Sequence, residues 1–282
     1  MMNNSLDRKE WVDSSVQDLL NSWSVASLQG IEKLKESMTY SFSKGGKRFR
    51  PVVSMMIAES FAVHPQRVLP WALSVEMIHT YSLIHDDLPC MDNDDVRRGE
   101  PTNHKVFGET TALLAGDALL TESFGHLAKS YKKEPELGLR LVGLLSEAAG
   151  LFGMVGGQAA DLAFQKEKAS FNDLKVMQEM KTGALIRVSA EGAAWICGLV
   201  PEKVRACRQF GEALGLAFQL KDDLLDAIEK DELGSFPAVI GPEKTDSFLQ
   251  ETTEKAFQSL RTMGISEGPL KELVQFNLDR KT

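Results

Sequence analysis

Cysteine is nearly absent from this chain: Cys90, Cys197 and Cys207 are the three among 282 residues. They are odd in number and form no CxxC pair, which excludes a disulfide framework and a cysteine-built zinc site and fits a reducing cytoplasm. Long apolar runs are missing too, since even residues 112–120 are broken by Gly116 and Asp117, so no membrane span is expected. The N-terminal string MMNNSLDRKEWVDS is charged and has no apolar centre, the form of neither a secretory signal nor an Arg-rich transit peptide. Proline is sparse, and there is no Pro/Ser-rich linker, internal repeat or low-complexity tract. A single domain over residues 1–282 is the simplest expectation. Positive charge is in deficit, 32 Lys and Arg against 40 Asp and Glu for a net −8. That balance argues against nucleic acid or an anionic membrane surface as the main partner.

What the sequence does contain is a helical period. Apolar residues recur at three- and four-residue spacing over 71–84, 137–151, 174–196 and 204–225, while strand-like alternation is nearly absent. Several of these runs are apolar on most faces, as helices in the middle of a bundle would be. Breaks fall at 44–50, 64–65, 86–99, 134–135, 200–201 and 234–242, with Pro51 and Pro201 standing where helices begin. The expected fold is all-α.

Three constellations could carry chemistry. Asp86, Asp87, Asp92, Asp94 and Asp95 stand just before Arg97, Arg98 and Gly99, and so many carboxylates within a few residues are reconciled only by divalent cations or cationic side chains. His79, Ser82 and Asp86 share one helix face, and Pro89 ends the regular helix so that Asp92 can fold back beside Asp86. The second set is Asp222, Asp223 and Asp226, with Asp222 and Asp226 one turn apart and Gln219 joining them at minus three. Without a counter-ion that face is destabilising. The third is Lys44, Gly45, Gly46, Lys47, Arg48 and Arg50, two glycines among cations whose amides and side chains can surround a polyanion. Its spacing is not that of a P-loop. Taken singly, a solvated acidic loop, an exposed acidic helix face and a basic connecting turn would account for them. Together they describe a site that binds diphosphate through divalent ions, with Arg and Lys on the remaining oxygens.

The strings GGKRFRP at 45–51, EMIHTYSLIHDDLPCMDNDDVRRGEPTNH at 76–104, GDALL at 116–120, GGQAADL at 156–162, KTGALI at 181–186 and FQLKDDLLD at 218–226 resemble, in order, the motifs of the head-to-tail trans-prenyl diphosphate synthases, and especially the bacterial farnesyl diphosphate synthases. The resemblance covers most of the chain. It implies an antiparallel helical bundle around a deep central cavity, the isoprenoid synthase fold, and a homodimer. It further implies Mg²⁺ as cofactor, three ions with diphosphate bound and Mn²⁺ as a substitute. Asp86 and Asp92 would ligate two of them with Asp87 in support, and Asp222 the third, with Asp223 and Asp226 acting mainly through water.

By the same resemblance Lys47, Arg50, His79 and Arg98 would bind isopentenyl diphosphate, while Arg97, Lys181 and Gln219 would face the allylic diphosphate. Thr182 would steady the forming carbocation with its backbone carbonyl and hydroxyl. The reaction implied is condensation of isopentenyl diphosphate with dimethylallyl or geranyl diphosphate to give farnesyl diphosphate, by ionisation, condensation and elimination. Tyr81 and Ser82, five and four residues before Asp86, match the pattern in which a bulky ring floors the cavity and stops growth at that length. A packed core aromatic at Tyr81 is compatible with that role. Geranyl or geranylgeranyl diphosphate are the alternative products.

One segment departs from the pattern. After Asp226 relatives carry a longer loop with a further Lys, in a string resembling GKSTYP, whereas here the chain runs DAIEKDELGSFPAVIG. Ser235, Phe236 and Pro237 match its end, but Leu233 and Gly234 stand where the Lys and its neighbour would be. One diphosphate contact, of a kind worth roughly 1.5–3 kcal/mol, is then missing unless Lys230 replaces it. Weaker allylic binding or a looser lid is the expected result. The shortened loop also raises the alternative of a non-catalytic regulatory homologue, which would be expected to lose aspartates, yet every one is present together with Arg97 and Arg98. A cyclase or head-to-head synthase would have no use for an isopentenyl site at Lys47, Arg50 and His79.

Overall fold

The computed structural model describes residues 5–164, 169–227 and 234–281. It is all-α apart from one two-stranded hairpin, as the helical period requires. The chain divides into two compact units, the first comprising residues 1–52 and 69–139 and the second residues 53–68 and 140–282.

In the first unit α1 (Ser5–Ser22) and α2 (Gln29–Ser43) precede α3 (Phe49–Ser60), whose opening turn belongs here. Helix α4 (Leu69–Asp86) is the core of this unit. Trp71, Val75, Met77, Ile78 and Ile84 are all but fully buried, and α4 packs along α6 (Glu109–Ser130), which α2 and the short α5 (Asn103–Phe107) also contact. Its apolar residues occur on nearly every face, which explains why the run at 71–84 lacks a clean polar stripe. Between α4 and α5 lies the hairpin of β1 (Val96–Arg97) and β2 (Glu100–Pro101), with Val96 opposite Pro101 and Arg97 opposite Glu100. Its turn residues Arg98 and Gly99 both have positive φ, 56° and 77°, the conformation a two-residue hairpin loop demands. Four strand residues are too few to show as alternation, so the sequence pattern alone reads this segment as loop.

The second unit is built on α11 (Pro201–Asp226), which packs against α10 (Ala184–Ile196) and α13 (Pro242–Met263). Pro201, Pro242 and Pro269 each open a helix, where the missing N–H costs nothing. Gly264, at φ 82°, closes α13 in the left-handed conformation. The other helices are α7 (Pro135–Ala149), which enters from the first unit, α8 (Met154–Phe164), α9 (Phe171–Gln178), α12 (Phe236–Ile240) and α14 (Pro269–Asp279). By length and composition the stretch Pro135–Phe164 could cross a membrane. It is nevertheless two helices, α7 and α8, parted by turn residues 150–153. At 15 and 11 residues neither reaches the ~20 that a span needs.

The run at 174–196 is also not one regular helix. Residues Glu179–Gly183 form a π turn between α9 and α10, a feature with no periodicity signature that recurs at functional sites. Near it lies an apolar cluster of Leu174, Met177, Leu216, Leu220, Phe236 and Leu249. Phe171, Phe236 and Phe248 meet edge to face there, with centroids 5.4–6.1 Å apart. Phe236 is fully buried, so Phe236→Ala is expected to cost about 3–5 kcal/mol in urea unfolding. A loss under 1 kcal/mol would show that this cluster does not hold α12 in place.

Candidate active site

In the first unit the acidic and basic motifs meet around the end of α4. Beyond Pro89 the chain turns back as expected, and the Asp92 N–H donates to the Asp86 carbonyl at 2.9 Å, which sets the two aspartates side by side. Asp87 is buried, and its Oδ1 accepts from Arg97 Nε at 2.7 Å and Nη2 at 2.6 Å. Burial raises the Asp87 carboxyl above its ordinary value, and the Arg97 contact opposes that shift. Arg97 Nη2 also lies 3.6 Å from Asp94, while Asp95 pairs with Lys105 at 2.8 Å. Several of the clustered charges are thus matched by cations of the same segment.

The basic string at 44–50 is arranged differently from a simple cationic loop. Lys47 is exposed, but Arg48, in the left-handed region at φ 48°, turns inward and is only 2% exposed. Its guanidinium donates to Asp13 at 2.8 Å, Glu76 at 3.0 Å and the Phe42 carbonyl at 2.8 Å. The two glycines make room for arginines. A Cβ on Gly45 would fall 2.0 Å from Arg48 Cζ, and one on Gly46 2.8 Å from Arg98 Cζ. From the hairpin turn Arg98 Nη1 reaches the Lys44 carbonyl at 3.0 Å. Arg48 therefore locks the loop that presents Lys47, while Arg50 and Arg98 stay in the cationic group.

His79 sits within the field of Arg50, Arg98, Arg97 and Arg48, and burial first and these charges second hold it well below its ordinary value of 6.5. It is a neutral imidazole in a strongly positive surrounding. Burial also lowers Arg50 and Arg98 from their usual values. A cavity of about 350 Å³ in this unit is lined by Lys44, Gly46, Thr80, Asp87, Arg97 and Arg98 among others. On α4 the Ser82 hydroxyl donates to the His79 carbonyl at 3.0 Å. Tyr81 is buried edge-on to His85, centroids 5.7 Å apart, and burial together with the Asp86 charge pushes its phenol up to about 12.

In the second unit Lys181 and Thr182 lie in the π turn. Helix α8 crosses that turn so closely that a Cβ on Gly157 would be 2.3 Å from the Lys181 nitrogen. One turn further along α8, Asp161 Oδ2 pairs with Lys181 Nζ at 2.5 Å. Thr182 Oγ1 lies 3.4 Å from Gln219 Oε1, and Gln219 Nε2 donates to Asp223 Oδ1 at 2.7 Å. Asp223 Oδ2 accepts from the Phe236 amide at 2.9 Å. Burial raises the Asp223 carboxyl, and those two donors oppose the rise. Asp222 pairs with Arg280 at 2.5 Å, while Asp226 is exposed. Lys230 and Leu233 lie outside the described residues.

The motifs alone do not reveal Asp13, Glu76, Asp161 and Arg280 as partners of site residues, nor the inward turn of Arg48. Glu76 and Asp161 do lie inside the quoted strings at 76–104 and 156–162, the one signal that could have found them. Among the described residues no three Asp, Glu, His or Cys side chains converge into a ready-made metal cage. The donors at 86, 92 and 222 are nonetheless all carboxylate oxygens. They suit a hard divalent ion that takes one or two carboxylates and completes its shell with water and phosphate oxygens.

The sequence model described as polyprenyl synthetase matches residues 31–235. A farnesyl diphosphate synthase of Geobacillus stearothermophilus is 47% identical over 201 residues, 71% of this chain and 68% of that protein. One from Micrococcus luteus is 37% identical over 277 residues, 94% of each. A crystal structure of an FPP/GFPP synthase from Zymomonas mobilis aligns with a TM-score of 0.89 at 33% identity, covering 98% of this chain and 100% of that one.

Two outcomes follow from the buried charges. Arg48→Gln leaves Glu76 buried without its guanidinium, so a stability loss of about 3–5 kcal/mol is expected, and a loss below 1 kcal/mol in urea unfolding would refute the clamp. Below about pH 6.5 the unfolded chain takes up a proton at residue 79 that the folded chain refuses, so stability falls as pH drops from 7.5 to 5.5. His79→Gln should shrink that fall, with His126, pushed down to about 4 by burial, leaving a residue of it. An undiminished fall would contradict the placement of His79.

Proposed function

The chain belongs to the polyprenyl synthetase family, and from that premise we propose that it is a prenyltransferase that condenses isopentenyl diphosphate with dimethylallyl or geranyl diphosphate to make farnesyl diphosphate. The observation that carries this reading is the positive group around a neutral His79 in a chain of net charge −8. Arginines held this close repel one another, and a polyanion is the ligand that resolves the repulsion.

Lys47, Arg50, Arg98 and His79 hold the isopentenyl diphosphate. Arg97, Lys181 and Gln219 face the allylic diphosphate, and the contacts with Asp87 and Asp161 keep Arg97 and Lys181 aimed before substrate arrives. Magnesium held by Asp86, Asp92 and Asp222, with Asp87, Asp223 and Asp226 in support, would supply the charge that makes diphosphate a good leaving group. The allylic C–O bond ionises, the alkene of isopentenyl diphosphate attacks the cation, and a proton passes to the departing diphosphate. Thr182 turns its carbonyl and hydroxyl dipoles toward the cation. The π turn that carries Lys181 and Thr182 supports this role, because such turns recur at functional sites. Apolar walls keep out the water that would quench the cation.

A single catalytic domain over residues 1–282 is part of this reading. A homodimer is supported by the exposed Val106, Leu113 and Leu114 on α5 and α6, and a reducing cytoplasm by the three free cysteines. Tyr81 floors the product cavity with Ser82 beside it. The Zymomonas mobilis neighbour, described as an FPP/GFPP synthase, keeps longer products as the alternative.

The test is purified protein with Mg²⁺, isopentenyl diphosphate and either allylic substrate, products identified by mass spectrometry. A fifteen-carbon diphosphate is expected, and no condensation with either substrate would overturn the reading in favour of a regulatory homologue. Asp86→Ala should lower the rate by several powers of ten, while Tyr81→Ala should shift products to twenty carbons or longer. An unchanged profile would remove Tyr81 as the floor.

A further inference from the structure

Asp222, Asp223 and Asp226 crowd the last two turns of α11, at the helix end where the backbone dipole is negative. Three like charges there need help from elsewhere in the fold. Asp223 receives two neutral donors, from Gln219 and the Phe236 amide. Asp222 receives a full positive charge from residue 280, which directly follows α14. Arg280 Nη2 lies 2.5 Å from Asp222 Oδ1 and donates to the Phe218 carbonyl at 3.0 Å, and its Cζ stands 4.4 Å from the centroid of the Phe218 ring. The Arg280 side chain is 6% exposed. It differs in this from surface pairs such as Arg261 with Glu254, whose side chains are 60% and 64% exposed.

We propose that Arg280 is the resident counter-ion of the second acidic cluster, a positioning residue that holds Asp222 while no metal is bound and yields it when a divalent ion arrives with diphosphate. The inference rests on the reading of Asp222 as a metal ligand. A guanidinium keeps its proton throughout the working pH range, so its charge must be displaced rather than titrated away when a second cation claims the carboxylate. The Phe218 carbonyl and ring give the displaced group somewhere to stay, because both already hold it and neither depends on Asp222. Metal loading at the cluster is thereby coupled to the hold on Arg280, just after α14.

The experiment is thermal unfolding of the whole protein and of Arg280→Gln, Arg280→Lys and Asp222→Asn, each without divalent ions and across a Mg²⁺ titration at fixed inorganic pyrophosphate. Ligand that binds only the folded state raises the melting temperature according to its affinity. Metal-free Arg280→Gln should melt below the wild type, Mg²⁺ with pyrophosphate should restore more than it adds to the wild type, and half-saturating Mg²⁺ should fall by about tenfold, the size of one competing charge-assisted contact. Arg280→Lys, which keeps the charge without the planar fork, should fall between, and it carries the test if the Gln variant does not fold. A deficit in the variants that is the same with and without Mg²⁺ and pyrophosphate would mean that Arg280 only pins the chain end, and would overturn the proposal. Asp222→Asn should blunt the Mg²⁺ response. If Asp222→Asn responds like the wild type, the reading of Asp222 as a ligand fails, and this inference fails with it.

Discussion

Charges of like sign are packed close in both units, arginines around one imidazole in the first and three carboxylates at the end of α11 in the second, and each group is partly neutralised inside the fold before any ligand arrives. The chain does this with partners brought from distant positions. Arg48 is matched by Asp13 and Glu76, Arg97 by Asp87, Lys181 by Asp161 and Asp222 by Arg280. Arg48 with Glu76 is buried on both sides, where removing one member costs far more than the pair contributes, and the half-buried contacts orient the other charges. The orientation of the motif side chains is a consequence of that pairing.

Such preorganisation suits chemistry on diphosphates. Substrates of this kind bring several negative oxygens and leave as an anion, so the protein's work is electrostatic and positional, with no side-chain nucleophile to activate. Two of the three cysteines agree: burial holds the thiols of Cys197 and Cys207 up to about 11 and about 12, which leaves them unreactive at neutral pH. The net charge of −8 first reads as a reason to avoid anions. Six motif carboxylates account for much of it, and the lining at Lys47, Arg50, Arg97, Arg98 and Lys181 is locally positive.

Much of this was legible in the residues because the informative relations are local. Helical periodicity placed the core of α4 and most of α11, Pro201 marked a helix start, and Pro89 marked the turn that returns Asp92 to Asp86. The motif order located both acidic clusters and the basic loop. What was illegible is long-range or conformational. Nothing near residue 222 announces a partner 58 positions later, at Arg280. An arginine in a basic string reads as outward-facing, and only the left-handed backbone at Arg48 turns it in. The π turn at Lys181 has no compositional mark, and the close approach of α8 to it at Gly157 is a contact between segments far apart in the chain. Each miss traces to tertiary contact overriding a local pattern.

The central claim is that two acidic clusters on separate helices receive divalent cations when diphosphate binds. The most direct measurement is a crystal structure of the protein grown with Mn²⁺ and pyrophosphate, with the ions located by anomalous scattering. The account predicts manganese beside Asp86 and Asp92 and beside Asp222, with pyrophosphate oxygens completing their shells. Bound pyrophosphate with no manganese at either cluster, or manganese confined to other surface carboxylates, would contradict it.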